Sequence, residues 1–218
     1  MGILLLIIVI STAGIASTWY LLRAAPRREG RRLANAIQST EAIFQCLDRV
    51  PNNLINRDLR RCTVLLVSHH LEVLRDIQPR HPHLLYIESR QQRLNRIPTG
   101  LERRPIRTKK DRREAALALE ELAGIIKKGA RAKAVNARDA DLGAAAALFA
   151  AQQIAVETAR QAAKDAENVR AYQQALNFAY QAEALCRRLP PLMGKALTES
   201  VSADVERLEQ QLGRPARI

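Results

Sequence analysis

Aromatic residues make up only 4% of this 218-residue chain, and long runs in which Val, Ile, Thr and Tyr alternate with polar residues are missing. The first shortage leaves few large side chains for a thick sandwich core. The second removes the period-two pattern of half-buried strands, so essentially no sheet is expected. Cysteine is scarce as well. Cys46, Cys62 and Cys186 are odd in number and widely spaced, which fits neither a disulfide framework nor a CxxC zinc pattern, and reduced thiols are expected. No GxSxG, no phosphate-cradling glycine loop, no HExxH and no Cys–His signature occurs. An enzyme is therefore not expected, and no cofactor is implied.

His69, His70, His81 and His83 lie close in sequence, near Cys62. Adjacent helical residues point about 100° apart, and His81 and His83 flank a proline, so the spacing does not converge on a metal. No metal site is expected.

Charge is absent altogether from Ile3 to Leu22. About 20 apolar residues at 1.5 Å each span a hydrocarbon core of roughly 30 Å. Trp19 and Tyr20 fall where an interfacial aromatic belt belongs, and Arg23, Arg27, Arg28, Arg31 and Arg32 follow. That arginine excess is expected to hold the C-terminal side in the cytoplasm, as in a bacterial-type inner-membrane protein. A cleaved signal peptide carries its positive charge before the apolar run, and here none precedes residue 23. Residues 1–24 therefore read as an uncleaved transmembrane anchor, with the lipid bilayer as first partner.

What the chain has in quantity is alanine and clustered positive charge. The net charge is +13, and two stretches hold nearly all of it. Residues 23–32 carry five Arg against one Glu, which the anchor's topology explains. Residues 90–113 carry Arg90, Arg93, Arg96, Arg103, Arg104, Arg107, Lys109, Lys110, Arg112 and Arg113 against Glu102 and Asp111, or +8. Such self-repulsion asks for a counter-charge: an acidic protein surface, anionic lipid or nucleic acid. The segment has no stacking aromatics, which counts against single-stranded nucleic acid.

The remaining sequence reads as helices. Leu33, Ala36, Ile37, Thr40, Ile43, Phe44 and Leu47 recur at three- and four-residue steps from Arg31 until Pro51. Asn52 or Asn53 is placed to cap a second helix whose face is Ile55, Leu59, Cys62, Leu66, Val73 and Ile77, broadened by Leu65, Val67 and Leu74. A shorter helix from about His83 to Asn95 carries Leu84, Leu85, Ile87 and Leu94. Together, residues 25–95 form the membrane-proximal helices. Residues 96–108, with two prolines, one glycine and dense charge, read as a basic linker.

Residues 109–218 read as an Ala-rich bundle. Thr108 with Asp111, and Asn136 with Asp139, are helix-start signals. Ala115, Leu119, Leu122 and Ile126 mark one buried face, with Gly129 as its stop. From Ala137 to Leu189 there is no proline and the one glycine is Gly143. The pattern permits either a single long helix or a hairpin turning at Asp165–Asn168, with Leu142, Ala145, Phe149, Val169, Leu176, Phe178 and Leu185 on its apolar face. A last helix carries Leu197, Val201, Val205 and Leu208.

The expected fold is all-α: one N-terminal transmembrane helix followed by a soluble bundle of antiparallel helices. Ala144–Ala147 and Ala159–Ala166 allow close contacts, bundle or coiled-coil, within the chain, with a partner or between copies. The expected function is a membrane-anchored cytoplasmic adaptor or scaffold, a subunit of a membrane-associated assembly. A membrane-tethered nucleic-acid-binding protein using residues 90–113 is the alternative.

Overall fold

A computed structural model describes residues 27–96, 108–189 and 191–213, with the side chains of 191–193 excepted. Among them there is no strand. The helices are α1 (27–49), α2 (Arg57–Ile77), α3 (His83–Arg96), α4 (Lys109–Arg131), α5 (Ala137–Asn168), α6 (Tyr172–Cys186) and α7 (Pro191–Gln211). They pack as a bundle. The expected transmembrane helix over 1–24, including Trp19, Tyr20 and Arg23, lies outside the described residues.

α1 is already helical at residue 27, earlier than the Arg31 start expected from its stripe, and it buries Ala36, Thr40, Ile43 and Phe44. Asn52–Leu54 is a single 3₁₀ turn, so neither Asn52 nor Asn53 caps α2. Asn56 does, its side chain accepting the Leu59 N–H at 2.9 Å. α3 returns antiparallel to α2, with Gln91 donating to Ser68 and Arg75 to Glu88. Leu85, expected on its apolar face, points outward at 77% exposure.

α4 opens on the Thr108–Asp111 capping box with both reciprocal hydrogen bonds made. It does not stop at Gly129. That glycine is buried within the last turn, where an added Cβ would meet Leu66 Cδ1 at 2.7 Å. Closure falls later, with Ala134 N–H donating to Gly129 C=O and Lys133 N–H to Ala130 C=O while Lys133 takes φ +58°. These are the paired bonds of a Schellman ending. Asn136 then caps α5 on Asp139, as its sequence signal indicates.

α5 is the spine. Residues 137–168 form one helix, and the hairpin turn falls just beyond it at 169–171. Its N-terminal half packs antiparallel to α4 and also against α2, in a core that unites Ile43, Leu59, Leu66, Leu119, Ile126 and Ala147. That core draws side chains from both sides of residues 97–107. The C-terminal half packs with α6 and α7 around Ala163, Leu176, Val205 and Leu208, and around Val156, Ala182 and Val201. α7 runs alongside α5 and is tied to it by Arg160–Asp204 at 2.7 Å and by the Glu167–Arg207 pair.

The face of α5 differs from expectation. Leu142 is 47% exposed and Ala145 is exposed, whereas Ala140, Gly143, Ala144, Ala147 and Ala151 are buried. Alanine lets the neighbouring helices approach closely, so the tightest seam forms on the small residues and the leucine is left outside. Among the described residues α5 is also the one helix long and apolar enough to cross a membrane, by length and composition alone.

Candidate functional site

The basic segment is split by the fold. Arg90 sits on α3 facing α1, with Nη2 2.5 Å from Asp48 Oδ1 and its guanidinium 4.7 Å from the centre of the Phe44 ring. Its charge is matched within the chain by a largely exposed carboxylate. Arg93 and Arg96 are exposed on the last turns of α3. Arg103, Arg104 and Arg107 lie outside the described residues. Lys109, Lys110, Arg112 and Arg113 occupy the first turns of α4, where Lys110 is 3.9 Å from Glu114. Of the residues expected at the membrane interface, Arg27, Arg28, Arg31 and Arg32 are all exposed on the first turns of α1.

The start of α4 borders an open groove of about 850 Å³ between α4, α5 and α6. α4 begins at Lys109, alongside the middle of α5. Past that point α5 keeps α6 and α7 as neighbours, and among the described residues the face that α4 would continue along is left uncovered. Ala155, Ala159, Ala162 and Ala166 form the floor, at helical steps of four, three and four. Phe178 and Leu185 from α6 form one wall, and Lys109, Arg112 and Arg113 form the opposite rim. Arg112 is half-buried and reaches Glu157 C=O at 3.5 Å. Among the described residues the one carboxylate lining the groove, Asp165, accepts a hydrogen bond from Gln161 at 2.8 Å. Among the described residues, neither Lys109 nor Arg113 joins an ion pair.

A second cleft of about 520 Å³ lies between α1 and α3, and its one arginine is matched within the chain. Asp48 holds Arg90, and Glu41 Oε1 lies 3.8 Å from His83 Nδ1.

The three cysteines are all buried. Burial and the neighbouring Glu121 push the Cys46 thiol up to about 12, and burial with Asp139 pushes Cys62 up to about 11. Burial also raises Cys186. Such thiols stay protonated and unreactive at neutral pH. His70 is pushed down to about 4, mainly by burial and then by His69. His69 and His70 lie side by side with ring centres 5.8 Å apart, as do His81 and His83 at 5.3 Å. Among the described residues, no group of three or more His, Cys, Asp or Glu side chains comes together around a point.

The wall residues Phe178 and Leu185 were legible as an apolar face, but the groove was not. Its one sequence sign is that α5 carries two alanine stripes, where burying a single face requires only one. No protein-family model, curated protein or solved structure matches the chain.

Proposed function

We propose that this chain is a membrane-anchored adaptor, held to the bilayer by residues 1–24 and presenting its helical body to a protein partner on the cytoplasmic side. The observation that carries this reading is the pairing of an alanine floor with a cationic rim in one groove. An apolar trough with charges along a single edge suits a protein surface, which can bury side chains and pair charges together. A phosphodiester backbone has nothing to place on the alanines, so nucleic-acid binding is the weaker reading.

The test uses the full chain in detergent micelles. Reversal of Lys109, Lys110, Arg112 and Arg113 to Glu should abolish co-purification of one defined protein while the helical content is retained. Retention of that partner, or binding of duplex DNA or RNA that falls steeply with salt in the unaltered chain, contradicts the adaptor reading.

A further inference from the structure

We infer that the α4–α5–α6 groove receives a single amphipathic helix of about four turns, with carboxylates on the flank that meets Lys109, Arg112 and Arg113. The inference rests on the docking reading above and adds the chemistry of the partner.

Three observations lead to it. The first is length. The α5 side of the groove runs from Ile154 to Val169, about 22 Å at helical rise, which matches an occupant of about 15 residues. The second is the floor. The alanine row is itself a helix groove of the i, i+4, i+7 kind, into which another helix sets a ridge of larger side chains. Phe178 and Leu185 lie seven residues apart on α6, so they stand two turns apart along the same trough. An occupant with apolar residues at i, i+3, i+4 and i+7 meets both. The third is charge. Three cations face one carboxylate that is already hydrogen-bonded to Gln161, so the rim carries an excess of positive charge along one edge only.

Openness decides between a helix and a lipid tail. A lone acyl chain in an open trough leaves one side of its surface in water. A helix needs only one of its faces covered and turns the other, polar face to solvent.

The experiment uses the full chain in phosphatidylcholine nanodiscs and three fluorescein-labelled 16-residue peptides. One has a leucine stripe flanked by Glu, one has the same stripe flanked by Lys, and one is a scramble of the first. Fluorescence anisotropy at low salt should show the Glu peptide binding at least tenfold tighter than either of the others. Arg112→Glu with Arg113→Glu should invert the preference toward the Lys peptide. Ala162→Trp, which fills the floor, should weaken both by more than tenfold; its far-UV circular dichroism and melting temperature establish that it is folded.

The outcomes separate the two levels of the argument. Equal binding of the Glu and Lys peptides, lost in folded Ala162→Trp, overturns the acidic occupant and leaves the docking groove standing. Glu-peptide binding that is indifferent to Ala162→Trp removes the groove and the adaptor reading with it. Displacement of the Glu peptide by phosphatidylglycerol vesicles, but not by phosphatidylcholine vesicles, assigns the rim to a membrane surface and overturns the inference.

Discussion

Gly143 lies so close to Cys62 that a Cβ on the glycine would come 2.5 Å from Cys62 Cβ and 2.9 Å from its Sγ. α5 and α2 meet here on the absence of a side chain, and no rotamer of Cys62 moves its own Cβ away. Gly143→Ala should therefore force the helices apart, and because neither Cβ can rotate away the overpacking cost falls in the upper part of about 1–3 kcal/mol, above the roughly 1 kcal/mol gained in helix propensity. Gly124 on α4 has nothing within 4 Å of its missing Cβ. Gly124→Ala should gain up to about 1 kcal/mol. Thermal unfolding of the two variants in one detergent should shift the midpoint in opposite directions; a common direction refutes the close-contact argument.

That contact explains what could be read from the sequence and what could not. Periodic Leu and Ile on α2 and α4 locate those helices and their faces, because each large apolar side chain contributes about 1.5–3 kcal/mol when buried. Leu59, Leu66, Leu119, Leu122 and Ile126 are all buried as their spacing indicates. On α5 the same rule points the wrong way, since Leu142 is outside and a run of Ala and Gly is inside. Alanine is apolar on every face, so its pattern carries no direction until the partner helix is known. The groove was hidden for the same reason, its floor being four alanines among many. Cap residues were legible because their chemistry is local, as with Thr108 and Asn136.

The helix ends that carry no glycine offer a second check. α5 closes with Ala171 N–H donating to Ala166 C=O and Arg170 N–H to Glu167 C=O, with Arg170 at φ +61°. This repeats the ending of α4 at Lys133. A side chain with a Cβ in the left-handed region costs about 1–2 kcal/mol relative to glycine. A cation near a helix C-terminus returns about 0.3–1 kcal/mol of that. Arg170→Gly should thus raise stability by about 0.5 kcal/mol, and Lys133→Gly should behave alike. Chemical-denaturant midpoints measure both. A loss of stability in each would mean that the basic side chains make a contact stronger than the backbone strain.

Acid sensitivity should have a component from His70. Its folded value is lowered to about 4 from 6.5, first by burial. Between those two values the unfolded chain binds a proton that the folded chain refuses, so stability falls as pH drops through that window. Below about 4 both states are protonated and the loss is complete. The difference amounts to about 1–3 kcal/mol once partial exposure of the ring is counted. His70→Gln, which does not titrate, should flatten the stability profile between pH 6.5 and 5, above the range where carboxylates dominate. An unchanged slope there would place the sensitivity elsewhere, since the Glu167–Arg207 pair, which lowers Glu167, weakens only at more acid pH.

The basic segment divides into cations that hold the fold and cations that face outward, and Arg90 tests the division. Its guanidinium lies over Phe44 at 4.7 Å while its Nη2 reaches Asp48 at 2.5 Å, joining α3 to α1. An exposed-to-half-buried cation–π contact contributes about 0.5–1 kcal/mol, and a largely exposed ion pair about 0.2–1 kcal/mol. Arg90→Gln should therefore lower stability by about 1–2 kcal/mol. Asp48→Asn should lose only the ion-pair share, because the stack on Phe44 survives it. Neither change touches the rim at Lys109, Arg112 and Arg113, which lies on the far side of residues 97–107 in the chain. Partner or peptide affinity measured well below the melting temperature should be the same in Arg90→Gln as in the unaltered chain, while the rim reversal does the opposite, leaving the melt near its original value and removing the affinity. Reduced affinity in folded Arg90→Gln would show that the two groups of cations act on one surface.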